Sequence, residues 1–268
     1  SLETSLPEGV PVTVGTIDAA AEAISVGVKD TGDIMIMYGS TMFFVGLVNG
    51  NKSNKTLWSA PWLFENEFAL MAGTSTSGTI TQWFKKEFAK DFNSEDAFQE
   101  LSKMAEKSPI GSKNLITLPY FSGERTPIQN PNACGIIFGL NLTHKREDIY
   151  RSIIEGISYG ANHILDTFIE SGFKPKKLFA VGGGVKNNIW SSTISNISGF
   201  NQEVKKNYNR CSLWKCISCS LSIGDVSKKD IIHWNPIDYV IKSCPDPLYN
   251  NQFELFKNLY KNTSNLLE

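Results

Sequence analysis

Charge of one sign, long apolar runs and histidine are all scarce in this chain, and each scarcity removes a class of function. Lys plus Arg number 26 and Asp plus Glu 27, for a net charge of −1. No basic field exists to collect a nucleic acid, and no basic amphipathic tract suits a membrane surface. No apolar run approaches the ~20 residues that span a bilayer; the stretch Ile34-Met35-Ile36-Met37-Tyr38 is only strand-length. The three histidines, His144, His163 and His233, are scattered and make no metal-ligand pattern, so no histidine-based metal site is expected. Five cysteines in 268 residues do not make a disulfide framework. The opening Ser1-Leu2-Glu3-Thr4-Ser5 has neither the basic nor the apolar region of a signal peptide, so a cytoplasmic protein is expected. It also lacks Met, as a chain processed or excised from a longer one would.

What remains is an ordinary globular composition, 41% hydrophobic and 20% charged, with length enough for a large core. Residues 1–10 read as a tail or linker. Pro11 to Gly15 reads as a short strand ending in a turn, and Asp18 then precedes the helix-forming run Ala19 to Ala23. Ile34–Tyr38 and Met42–Val48 read as strands around Gly39-Ser40-Thr41, with Asn49-Gly50 as a turn. Helices are expected through Trp83, Phe84 and Phe88, from Ser94 to Lys107, from Lys145 to Ser171, from Lys186 to Ser198 and from Gln252 to Tyr260. Leu115–Leu118, Lys177–Val181 and residues 201–204 read as further strands. Strands alternating with helices imply an α/β sheet.

Taken singly, the chemistry-bearing motifs are ambiguous. Val181-Gly182-Gly183-Gly184-Val185-Lys186-Asn187-Asn188 is a glycine turn between strand and helix, where exposed N–H groups can meet an anion. It matches neither the P-loop nor the dinucleotide fingerprint, and it reads equally as a tight turn. Gly39-Ser40-Thr41 has the form of a phosphate-gripping hairpin, or of a plain β-turn, and the turn ending at Gly78 is similar. Asp18 reads as a catalytic carboxylate or as a helix N-cap. Glu124-Arg125 reads as an anion-binding pair or a surface ion pair. Cys211, Cys216 and Cys219, with Cys244 beyond, have the spacing of a plant-type [2Fe–2S] ligand set, or a chance cluster.

In their order, these stretches resemble the second domain of the FGGY carbohydrate kinases, the family of xylulokinase, ribulokinase and glycerol kinase. The resemblance runs from about Pro11 to Val204. It is carried by Gly15-Thr16-Ile17-Asp18-Ala19-Ala20, Gly32-Asp33 leading into Met37-Tyr38-Gly39-Ser40-Thr41, Ser77-Gly78, and the loop from Leu118 to Pro127. Gly135 to Leu140, Glu155-Gly156-Ile157 and Val181-Gly182-Gly183-Gly184 complete it.

The resemblance implies that residues 11–268 form an actin-like, ribonuclease-H-like α/β domain, the second of two in an ATP-dependent sugar kinase. It implies ATP with Mg²⁺ held mainly by the nucleotide phosphates, a small sugar and an N-terminal kinase domain as partners, and is compatible with a homodimer. Asp18 matches the base that takes the proton from the attacking hydroxyl. Gly39-Ser40-Thr41 matches the terminal-phosphate contact, Gly78 and Gln82 the nucleotide contacts, and Gly183, Gly184 and Asn188 the adenosine end. Ala19 stands where glycerol kinases carry a polar contact, so a xylulokinase-like substrate is expected. The alternative is a non-catalytic nucleotide-binding or assembly fragment of a split or degenerate kinase.

Two departures follow from the same resemblance. The family's N-terminal domain, which begins with an Asp-x-Gly-Thr loop and supplies most sugar contacts, has no counterpart in these residues, so the isolated chain is expected to be inactive. Residues 207–220 also depart, where the family opens a small-residue helix with Gly-Ala-Ser/Pro-Tyr/Phe-Gly-x-Ala. Permitted codons for Arg210 onward, read one nucleotide later, spell Gly-Ala-Pro-Phe-Gly-Asn-Ala-Phe-Leu-Ala. The hypothesis is a compensated frameshift that also creates the cysteine cluster; in-frame codons unable to yield that segment would refute it.

Overall fold

Ile34 to Tyr38 is apolar at almost every position, which suits a strand covered on both faces rather than one. In the computed structural model it is β1 (Asp33–Tyr38), with Ile34, Met35 and Ile36 all fully buried. The structure describes residues 3, 5, 7–12, 15–52, 55–207, 216–217, 219–221, 223–224 and 227–266. β2 (Met42–Asn49), β3 (Trp58–Pro61) and β4 (Glu67–Gly73) follow, then β5 (Ile116–Leu118) and β6 (Ile136–Phe138), and finally β7 (Lys177–Val181), β8 (Gln202–Lys205) and β9 (Ile237–Ile241). Seven of these form one sheet in the order β3-β4-β2-β1-β7-β8-β9. β1 pairs antiparallel with β2, Ile36 opposite Phe44, and parallel with β7, Ile36 beside Ala180. β8 continues parallel to β7, and β9 closes that side antiparallel. The inner run β4-β2-β1-β7-β8, with β2 alone reversed, is the ribonuclease-H-like arrangement of the actin-like ATPases.

The alternation of β1 side chains sorts the helices onto two faces. Ile34, Ile36 and Tyr38 join the core under α2 (Gly78–Phe88), α3 (Ala97–Ala105), α4 (Arg146–Glu170) and α5 (Asn188–Ser198). Met35 points the other way, into the core of α1 (Asp18–Ser25) and α6 (Ile231–Trp234). The long α4 supplies Ile153, Ile157, Ile164 and Phe168 to the first core. Beyond its middle, Tyr159 packs with β5, β6 and Phe253 and Phe256 of α7 (Pro247–Thr263) in a third cluster.

Several elements differ from the sequence reading. Pro11, Val12 and Gly15 are not in a strand, and residues 13 and 14 lie outside the described set. β4 was not legible because Glu67-Phe68-Ala69-Leu70-Met71-Ala72-Gly73 has no β-branched residue and is dominated by the helix formers Glu67, Ala69, Leu70, Met71 and Ala72. α7 is longer than expected because Asp246 caps it, accepting from the Leu248 N–H at 2.8 Å, with Pro247 in the first turn. Among the described residues, no helix is long and apolar enough to cross a membrane.

Candidate functional site

The strand ends of β1 and β7 and the starts of α2 and α5 surround one cleft of about 680 Å³. Gly39, Ser40, Gly78, Gln82, Gly183, Gly184 and Asn188 all line it. Thr41 and Asp18 do not.

The β1–β2 turn is fixed by the start of α2. Ser77 N–H donates to the Ser40 carbonyl (2.9 Å), Gly78 N–H to the Gly39 carbonyl (3.1 Å) and Thr79 N–H to the Ser40 carbonyl (3.2 Å). A Cβ on residue 78 would sit 2.5 Å from the Gly39 carbonyl oxygen, so only glycine permits this approach. The first N–H groups of α2 are thus spent on the turn, not on a ligand. The Ser40 and Thr41 N–H groups carry no hydrogen bond among the described residues, which leaves a small donor pair at the rim.

The opposite turn depends on Gly182, whose φ of +93° and 2.5 Å approach to the Tyr38 carbonyl exclude a side chain. Residues Gly183–Lys186 make a short 3-10 turn, and Asn187 Oδ1 caps α5 by accepting from Trp190 N–H at 3.2 Å. Asn188 begins α5, exposed toward the cleft. Trp190 meets Tyr38 edge to face at 5.2 Å and forms the floor. Tyr38 donates its hydroxyl hydrogen to Gln202 Oε1 at 2.6 Å, and burial pushes its phenol well above the usual range, so it stays protonated. The remaining wall, Glu95, Asp96 and the α3 residues Phe98, Gln99, Ser102 and Lys103, gave no sequence cue: a polar helix face looks like ordinary solvated surface.

Asp18 lies on the other face of the sheet, exposed, as the first residue of α1. Ile17, not Asp18, is the N-cap, and among the described residues the Asp18 carboxylate accepts only the N–H of Ala19, at 2.8 Å. The helix-capping reading of Asp18 therefore does not hold. A small hollow of about 140 Å³ between Thr16, Ala20 and Trp62 adjoins this corner.

Glu124 is neither an exposed ion-pair partner nor an anion-binding group. It is buried, and its Oε1 accepts from the N–H groups of Ser75 and Arg125, both at 2.7 Å. Burial pushes its carboxyl up to about 7 against the lowering effect of those N–H donors. Arg125 instead donates to the Thr74 carbonyl and lies over the Trp58 ring at 5.8 Å. Together the pair braces the segment that leads from β4 into Gly78.

Among the described residues, no three His, Cys, Asp or Glu side chains come together as a metal site requires. Cys211 and most of the anomalous segment, residues 208–215 and 218, lie outside the described set.

The family model for the C-terminal domain of the FGGY carbohydrate kinases matches residues 25–214. The chain belongs to the FGGY family. Among its FGGY relatives, the xylulose kinase of Bacillus subtilis is 27% identical over 275 residues, spanning 98% of this chain and 53% of that protein. The gluconokinase of Bacillus licheniformis is 24% identical over 96% of this chain and 52% of its own length. The crystal structure of xylulose kinase from Rhodospirillum rubrum superposes with a TM-score of 0.89 at 24% identity, covering 98% of this chain and 54% of that one. The chain thus spans about half the length of the FGGY relatives it matches.

Proposed function

We propose that this chain is the nucleotide-binding half of an ATP-dependent sugar kinase and carries its catalytic base. The observation that supports this reading is convergence: three stretches far apart in sequence bring Gly39, Ser40, Gly78, Gln82, Gly183, Gly184 and Asn188 around one cleft. Its volume falls within the range of small-molecule sites. The sugar kinases among the relatives, and a related glycerol kinase from Plasmodium falciparum solved with ADP, agree with it.

In this reading the triphosphate lies against the Gly39–Ser40 turn, whose open Ser40 N–H meets a terminal oxygen. Phosphoryl transfer depends on alignment and charge stabilisation more than on covalent help. The sugar oxygen forms a bond to the γ-phosphorus as the bond to the bridging oxygen of the departing ADP breaks. Asp18 takes the hydroxyl proton. Mg²⁺ bound to the nucleotide offsets phosphate charge.

The acceptor is a ketopentose or a related sugar, with xylulose first, since relatives named as xylulose kinases recur and Ala19 lacks the polar contact of glycerol kinases. Assaying the full-length protein that carries this chain against pentuloses, hexonates and polyols tests the proposal. Sugar-dependent ADP release is expected with a member of that panel. Nucleotide binding without turnover on any of them would replace the proposal with a non-catalytic binding module. The 268-residue chain alone is expected to show no sugar-dependent turnover, and robust turnover by it would overturn the division of labour.

A further inference from the structure

The cleft has two chemically different walls. Gly39, Ser40 and Gly78 make one of small residues, with the Ser40 N–H as its open donor. The other is α3 with the residues before and after it, where Glu95, Asp96 and Glu106 outnumber the single cation Lys103 and disfavour phosphate. An anionic tail therefore belongs at the first wall, and the uncharged end of a nucleotide at the second.

On that second wall stands an aromatic ring that the core does not use. α3 buries Ala97, Leu101, Met104 and Ala105, but Phe98 remains 40% exposed and lines the cleft. Lys85 Nζ lies 5.3 Å from the ring centroid, so a cation engages the ring while much of its surface stays open. A single exposed Phe needs no explanation on a convex surface. Inside a concave site whose neighbouring side chains are polar, it offers the one flat apolar surface of α3.

We infer that Phe98 is the platform on which the nucleobase stacks. This rests on the nucleotide reading above and extends it to a residue that the sequence motifs did not include. Stacking uses the face of the base, which every nucleobase has, so the contribution of Phe98 is the same for adenine and guanine nucleotides.

The test is calorimetric titration of the full chain with MgATP, MgGTP and magnesium tripolyphosphate, using unsubstituted protein, Phe98→Ala and Phe98→Trp. Phe98→Ala should weaken ATP and GTP alike, by about tenfold, and leave tripolyphosphate unchanged. Phe98→Trp should restore both nucleotides. Unchanged ATP affinity in Phe98→Ala overturns the platform and leaves the nucleotide reading standing. Equal weakening of tripolyphosphate overturns it too, because the loss then belongs to the cleft as a whole. If the unsubstituted chain binds none of the three ligands, the nucleotide reading falls and the platform falls with it.

Discussion

The cleft and the Asp18 corner occupy opposite faces of one sheet, and they are finished to different degrees. Around the cleft, backbone is tied to backbone: the turn after β1 is held by three N–H groups at the start of α2, and the turn after β7 closes on the Tyr38 carbonyl. Among the described residues the Asp18 carboxylate has one hydrogen bond, from the residue beside it, and Asp18 is exposed. A binding site for a rigid ligand gains from such pre-positioning. A general base gains its geometry only when its substrate is held against it. Under the proposed function, the contrast divides the work: the cleft is pre-positioned within this chain, whereas Asp18 depends on another surface to hold its substrate.

Two substitutions should break that pairing in opposite directions. Asp18→Asn in the full-length protein should lower kcat by about 10²- to 10⁴-fold, the usual contribution of a positioned base, without changing nucleotide affinity. Steady-state kinetics beside ATP titration checks this, and a matching fall in both would remove Asp18 from the chemistry. Gly78→Ala should do the reverse. Its Cβ would meet the Gly39 carbonyl at 2.5 Å, and relief of about 1–3 kcal/mol of strain must displace the turn. Nucleotide affinity should fall about 5- to 150-fold, read by titration, while thermal unfolding confirms that the chain still folds.

How much of this was legible beforehand divides along the same line. β1, β2, α4 and β7 announced themselves through apolar periodicity, and the glycine turns through composition. The cleft was legible as a set only through the order of its glycine turns in the family pattern; singly, each turn read equally as a plain bend. Phe98 and the α3 wall were not, since a side chain that faces a ligand obeys the same polar pattern as one that faces water. Glu124 was misread for a related reason. An acidic residue next to Arg125 looks like a surface pair, and only tertiary structure shows its carboxylate buried against Ser75. The family match ends at residue 214, inside the stretch where the sequence itself leaves the family pattern.

Glu124 offers a way to sharpen the comparison, because it braces the cleft side alone. Its carboxyl is raised to about 7 in the folded chain from an ordinary 4.5, burial being the main cause. The folded state therefore binds the extra proton between those values. The stability it contributes is fully present below pH 4.5 and is lost as pH rises through 7, by about 3 kcal/mol in all. Glu124→Gln keeps an acceptor for Ser75 and removes the titration. Denaturant unfolding at pH 5 and pH 8 should show the variant gaining on the parent toward pH 8. A constant difference between the two would mean that the buried carboxylate does not titrate in this window.

His163, on α4 and away from both regions, is the internal reference. It packs against Phe253 of α7, its Nδ1 has no partner among the described residues, and burial, with Lys257 nearby, lowers its pKa to about 4. Here the unfolded chain binds the extra proton between pH 4 and 6.5, so the sign is opposite: stability is complete above 6.5 and falls as the pH drops. At pH 5 the loss is about 2 kcal/mol. His163→Leu keeps an apolar helix former at the site and should recover that loss, raising the denaturant midpoint at pH 5 relative to pH 7.5. Because His163 faces Phe253 of α7 and does not line the cleft, this gain should leave nucleotide affinity at pH 7.5 unchanged. A change in that affinity would mean that the α4–α7 contact sets the shape of the cleft, and the two regions would no longer be separable by mutation.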